Sequence, residues 1–300
     1  MTQQVIAARP VVAPPAELRR SESFAAQALR RLRRNRSAMI GLTIMVLLVV
    51  LSATAAWIAP HNPIQQNSRD ANQLPSARYW LGTDNLGRDI FSRLLYGGQI
   101  SLTVGIISVG IGLLFGVPSG LLAGYYGKKI DWVISRIVDL MLAFPEILLA
   151  LAIVAILGPS LQNVMIAVGV AAVPRYVRVV RGSTLATRNM VYVEAARVVG
   201  ANDVRILARH VLPNVLAPVI VLATLGVAGA ILAGASLSYL GLGAQPPTPE
   251  WGKMLADGRQ FLRNYPWITT MPGLAIMITV LAINLFGDGL RDALDPRLKM

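Results

Sequence analysis

The 300-residue chain carries 15 carboxylates, two histidines and no cysteine, which narrows the chemistry open to it. Without thiolates there can be no disulfide, iron–sulfur cluster or cysteine metal site. A metalloprotease cluster of the H-E-x-x-H kind needs two histidines one helical turn apart. His61 and His210 are instead far apart in sequence and predicted on opposite sides of a membrane. The stretch GYYGKK at 124–129 has the look of a phosphate loop. A P-loop, however, needs four residues between its glycines and then Lys-Ser/Thr; Gly124 and Gly127 stand too close, and Lys128 is followed by Lys129. No catalytic residue, cofactor or metal site is expected in this chain, and any ATP it depends on must bind elsewhere.

Ionisable groups inside apolar sequence are the next candidates. Asp131, Arg136 and Asp139 fall near the start of one apolar stretch, with Arg136 and Asp139 spaced i, i+3 for a local ion pair. Counted from Trp132 at about 1.5 Å per residue, Glu146 lies about 20 Å into the bilayer. A carboxylate at that depth needs water, a partner or a proton. It either faces an amine of a solute in a cavity or sits neutral in a helix contact. Ser236 and Tyr239 join it as pathway candidates on polarity alone. One carboxylate and no internal repeat speak against a self-sufficient secondary transporter, the alternative from a different class.

The elements that must position these residues are membrane helices. The chain is 54% hydrophobic and 14% charged, with a mean hydropathy of +0.56, outside the range of soluble globular domains. A span needs about 20 apolar residues. Six stretches qualify: 39–59, 100–125, 132–157, 164–180, 216–242 and 270–286. Six crossings place both termini on one side. All but seven of the 28 lysines and arginines then fall on that side, the exceptions being Arg69, Arg78, Arg88, Arg93, Lys253, Arg259 and Arg263. The positive-inside rule assigns the richer face to the cytoplasm. The net charge of +13 fits an anionic membrane face better than nucleic acid.

Residues 1–37 form a basic cytoplasmic tail, in which Pro10, Pro14 and Pro15 disfavour helix. After a cap at Ser21, Phe24, Ala28, Leu29 and Leu32 share a helical face beside five arginines, which predicts a helix lying on the inner leaflet. Residues 38–99 hold the first span and an outer loop, 100–290 a core membrane domain, and 291–300 a cytoplasmic C-terminal tail. Two ridges of small residues recur at four-residue spacing: Ser108, Gly112, Gly116, Gly120 and Gly124, then Gly226, Ala230, Gly234 and Ser238. Such ridges let helix backbones approach closely, within the bundle or against a partner. Pro118 and Pro145 are expected to bend their helices.

One segment interrupts the lipid pattern. Residues 192–214 read YVEAARVVGANDVRILARHVLPN, on a predicted cytoplasmic loop. Val193, Ala196 and Val199 mark one face of a short helix, with Glu194 and Arg197 on another; Gly200 ends it. Asn202 or Asp203 caps a second helix whose apolar face is Val204, Leu207 and Val211, and Pro213 precedes the next span. The pair has the outline of a DNA-reading helix–turn–helix, but a short loop between spans is no place for a groove reader. It is either an interfacial loop or a rigid knob that docks into another protein.

Glu194-Ala195-Ala196, three residues, Gly200, nine residues, then His210, Leu212 and Pro213 resemble the EAA loop, E-A-A-x3-G-x9-I-x-L-P, of permease subunits in binding-protein-dependent ABC importers. His210 stands at the isoleucine position. WLGTDNLGRDIFSRLLYGGQISL from Trp80, LSYLGLGAQPPTPEWGKML from Leu237 and FGDGLRDALDPRLK from Phe286 are similar to the second permease of the dipeptide, oligopeptide, glutathione and nickel group, over residue 35 to the C-terminus. The resemblance implies an all-α, six-span, type I ABC importer permease in a bacterial or archaeal cytoplasmic membrane. Its implied partners are a homologous second permease, two cytoplasmic ATPases that bind ATP and Mg, and an extracytoplasmic solute-binding protein. Di- or oligopeptides are the expected cargo, with glutathione or nickel as alternatives. The loop at 186–213 would be the coupling helix, carried by Glu194, Ala195, Ala196, Arg197, Gly200, Ala201, Asp203, Leu207, His210, Leu212 and Pro213. On the outer loops, Arg88, Asp89, Pro247, Glu250 and Trp251 are candidates for an outer gate or a binding-protein dock.

Overall fold

A computed structural model of the chain describes residues 24–294; Ser21, the proline-rich start and residues 295–300 lie outside them. Among the described residues every regular element is helical, and the only bridge is an isolated one between Thr83 and Asp89. The order is α1 (Phe24–Arg34), α2 (Arg36–Ala53), α3 (Ala55–Ile58), α4 (Ile90–Tyr126), α5 (Lys128–Leu142), α6 (Glu146–Leu157), α7 (Leu161–Arg188), α8 (Val191–Val198), α9 (Asp203–Ile206), α10 (Leu212–Tyr239), α11 (Trp251–Gly258) and α12 (Trp267–Leu294). Five helical runs are long and apolar enough to cross a membrane, and α5 with α6 makes a sixth if that bent pair counts as one span.

The predicted third span is therefore a corner. The chain turns by 90° between α5 and α6. Pro145, the N-cap of α6, accounts for the break in the helix, since its ring denies α6 a preceding helical turn. The depth estimate for Glu146 assumed a continuous axis and fails with it; Glu146 is the first residue of α6. α4, by contrast, runs through Pro118 as one 37-residue helix. It begins ten residues before the predicted span because the Asp89 carboxylate accepts from Ser92 N–H at 2.9 Å and caps it.

α7 also differs from expectation. Hydropathy ends the span near Val180, yet the helix continues to Arg188 and carries Arg175, Arg178 and Arg181 within it. Two of these have cross-helix partners on α5. Arg181 makes a two-pronged contact with Asp131, at 2.5 and 2.7 Å, and Arg178 reaches Asp139 at 3.0 Å. The predicted local pair of Arg136 with Asp139 is replaced by these, and Arg136 instead lies over the Trp132 ring at 5.8 Å.

The α4 ridge is a seam to α7. A Cβ added at Gly112 or Gly116 would meet Tyr176 at 2.7 and 2.5 Å, one at Gly120 would meet Val180 at 2.7 Å, and one at Gly124 would meet Thr184 at 2.6 Å. The small residues admit the facing helix, as in membrane bundles generally. The α10 ridge does the same more sparsely: Gly234 faces Val104, and Gly226 faces the Tyr176 hydroxyl. α1 packs against α12 and α2, so protein takes part of the face predicted for lipid; Ala28 is buried while Leu29 is half exposed.

Candidate functional site

At the end of the bundle where α4 and α7 finish, residues 191–211 fold into a knob. Val193 and Ala196 of α8, Ile206 of α9 and Val211 bury themselves with Tyr125 and Val180 beneath. Gly200 has φ +83°, the left-handed conformation that glycine enters freely and that ends α8. Asn202 caps α9 by accepting from Arg205 N–H at 2.9 Å, leaving Asp203 free for another task. Asp203 accepts from the Tyr125 hydroxyl at 2.8 Å, while Arg197 lies over the same ring at 5.3 Å. Both knob helices are thus tied to the last turn of α4 through one tyrosine. Arg188 adds a strap by donating to Gly124 O at 2.9 Å.

Leu207–Val211 is a π turn, closed by Leu212 N–H donating to Leu207 O. It joins α9 to α10 without a break, in one helical run from Asp203 to Tyr239. Leu207 and His210 are half-buried, with His210 6.4 Å from the Tyr192 ring. Leu212 and Pro213 open α10.

Each apolar face expected from spacing is borne out except at one end: Val193, Ala196 and Val211 are buried and Leu207 half-buried, but Val199 and Val204 are not. Val199 is 82% exposed and Val204 73% exposed, and Val191 and Val198 are exposed beside them. The missing buried anchor is Ile206, whose neighbours in sequence gave no reason to prefer it over Val204. Glu194, Ala195 and Arg197 are also exposed. The knob therefore ends in an apolar tip with charges around it, the composition of a protein-binding surface.

The opposite end holds the residues expected at an outer gate or a binding-protein dock, and most of them are buried rather than presented at the surface. Arg88, Asp89, Glu250 and Trp251 are each 4% exposed or less. Arg88 Nε lies 2.6 Å from Asp84, which also sits 3.6 Å from Arg93. Glu250 caps α11, accepting from Gly252 and Lys253 N–H at 2.9 and 2.8 Å and from the Ser101 hydroxyl at 3.2 Å. Trp251 donates its indole N–H to Leu94 O at 3.0 Å and packs over Gly97 and Gly98. These side chains fasten the outer loops to α4. Pro247, after a cis peptide bond, is the exposed member of the set. Nearby, burial and then the hydrogen bond to Asp70 raise the Tyr79 phenol above its ordinary pKa, so it stays a proton donor.

Between the two ends, a cavity of about 250 Å³ opens at the middle of α7 and α10. Glu146 and Ser236 both line it, as the sequence proposed; Tyr239 lines a neighbouring cavity that shares Leu232 and Ser236. The sequence reading missed Arg175 and Tyr176, which line the first cavity too. The signal available was an arginine inside the apolar stretch 164–180, which the charge count treats only as one of the cytoplasmic-side cations.

Residues 116–300 match the family described as binding-protein-dependent transport system inner membrane component. The chain belongs to that family. Residues 23–75 match the N-terminal transmembrane domain of oligopeptide transport permease C, so likeness begins somewhat before residue 35. This permease is 49% identical over 286 residues to the dipeptide transport system permease protein DppC of Alkalihalophilus pseudofirmus, covering 95% of this chain and 94% of that one. It is 49% identical to the di/tripeptide permease DppC of Pseudomonas aeruginosa, over 88% of this chain and 89% of that one. It is 47% identical to the glutathione permease GsiD of Escherichia coli, over 90% and 89%. Among solved structures, the MetNI methionine ABC transporter in an inward-facing conformation superposes with TM-score 0.56 at 22% identity, covering 68% of this chain and 96% of that one. The permease thus has the type I ABC importer fold and is a multi-pass membrane protein.

Proposed function

We propose that this permease is one of two homologous membrane subunits of an ATP-driven importer for di- or oligopeptides, and that residues 191–213 are its coupling element. The observation that carries the reading is the knob: an E-A-A and glycine loop folded as a rigid plug, apolar at its tip and tied through Tyr125 to α4. An ATPase cleft that received Val198, Val199 and Val204 and paired Glu194 with a basic residue could drive the knob as a rigid body. α4 would follow through Tyr125, and α7 would follow α4 along the glycine seam. The knob end would then be cytoplasmic together with both termini, the side that carries most lysine and arginine. Two ATPases would hydrolyse ATP with Mg, and a solute-binding protein would deliver cargo to the far end, where Pro247 remains exposed.

Peptide cargo is favoured by the two peptide permeases among the relatives, and glutathione, itself a tripeptide, by the third. The test is uptake of radiolabelled alanyl-alanine into proteoliposomes holding this chain, its partner permease and their ATPases, with the cognate binding protein outside. Accumulation that requires both internal ATP and the binding protein is the expected outcome. Accumulation driven by a proton gradient without ATP would replace the reading with that of a secondary transporter.

A further inference from the structure

The cavity between α6, α7 and α10 is lined by two residues of opposite charge, Glu146 and Arg175, that no other described residue pairs. Glu146 opens α6, and Arg175 stands at the middle of the 28-residue α7, about 20 Å from either end of the helix. Both line the same cavity. Among the described residues neither makes an ion pair, and no nitrogen of Arg175 comes within 4.0 Å of a Glu146 oxygen. This contrasts with the next two arginines of α7, Arg178 and Arg181, each of which is paired with an aspartate of α5. Ionisable groups in a membrane bundle are costly unless paired or wet, and they mark substrate paths. α10 leaves room between them: a Cβ at Gly229 would meet nothing within 4 Å, and the Ser236 hydroxyl spends its hydrogen on Leu232 O at 2.8 Å, so it can only accept.

We propose that Glu146 and Arg175 form a split-charge recognition site for a zwitterionic solute. The Glu146 carboxylate accepts from the α-ammonium, and the Arg175 guanidinium donates to the α-carboxylate, its planar fork matching that group. A free peptide supplies both termini and neutralises both charges at once, whereas a divalent cation would satisfy Glu146 and be repelled by Arg175. The corner between α5 and α6 is what makes the site possible, because it brings the first residue of α6 to the cavity wall. This inference rests on the reading of the chain as a peptide permease and adds where the permease itself reads the cargo.

The test uses the full complex of both permeases and both ATPases in nanodiscs, without binding protein, and measures equilibrium binding of alanyl-alanine, N-acetyl-alanyl-alanine and alanyl-alanine amide. Wild type is expected to bind alanyl-alanine at least tenfold more tightly than either blocked form. Glu146→Gln should weaken alanyl-alanine about tenfold and leave the N-acetyl form unchanged, since that form has no ammonium to lose; Arg175→Gln should weaken alanyl-alanine and leave the amide unchanged. Such ligand-specific losses are the signature of direct pairing in a double-substitution cycle. Equal losses for all three ligands, or loss of the partner permease on purification, would make the two residues structural and overturn the site. Absence of saturable binding to wild type would also overturn it. If ATP-driven uptake by the same complex in proteoliposomes, with the binding protein outside, persists in that case, the importer reading stands and only the recognition site falls; if that uptake fails in wild type, the importer reading itself is wrong.

Discussion

The two ends of the permease use motif residues in opposite ways. At the knob, two valines that helical spacing assigns to a buried face point outward, with Val199 at 82% exposure and Val204 at 73%. At the far end, charged and aromatic loop residues that look suited to a surface are sealed inside, with Asp89 and Glu250 each 2% exposed. A distinctive stretch of sequence can thus mark a surface meant for a partner or a fastener that keeps loops in place. Burial and hydrogen-bond partners separate the two where residue type does not.

The comparison predicts opposite failures. Trp251→Ala at the fastened end should have the largest effect, because it empties a filled site over Gly97 and Gly98; a loss of about 3–5 kcal/mol is expected, read as a fall in thermal stability of the purified complex. An unchanged melting temperature would mean that the far end is a surface after all. At the knob, Val198→Asp with Val199→Asp should leave stability within about 0.5 kcal/mol, as exposed substitutions do. The same pair should lower ATP-driven uptake and ATPase copurification at least tenfold. A destabilised but fully active variant would invert the contrast.

Smaller effects sharpen the boundary between docking and anchoring. At Gly200 an added Cβ meets no atom, so the effect of Gly200→Ala is chiefly the cost of a left-handed backbone, roughly 1–2 kcal/mol, and uptake should drop several-fold while the complex still assembles. Tyr125→Phe removes the hydroxyl that Asp203 holds, worth about 1 kcal/mol, and keeps the ring under Arg197. Uptake per ATP hydrolysed should fall two- to threefold without loss of ATPase binding, and a normal ratio would release Tyr125 from the linkage.

Much of this was legible before the structure. Hydropathy located the apolar stretches, glycine spacing located the α4 seam, and the E-A-A and glycine pattern located the knob and its turn at Gly200. What was not legible depended on partners distant in sequence. Asp139 reads as the mate of Arg136 until α7 brings Arg178 across from 39 positions away. Charges truncate a hydropathy span, so α7 is expected to end near Val180 rather than at Arg188, and Arg175, although inside the expected span, is counted with the cytoplasmic charges rather than placed at a cavity. Pro145 announced a break, but a proline fixes only its own φ and the residue before it; the 90° turn that follows is set by packing of α6 on α7.

The π turn at Leu207–Val211 acts as a phase setting between the plug and the pathway. Each residue of an α-helix advances the side chains by about 100° around the axis, so the extra residue held in this turn fixes which way all of α10 faces. Deleting one residue there would relax the turn to ordinary helix and swing Gly226, Gly229 and Ser236 away from Glu146 and Arg175, with the knob still seated on Tyr125. Mechanical contact and solute recognition are kept in step by the angular register of one turn, and a change of length is least tolerable where the helix is least regular.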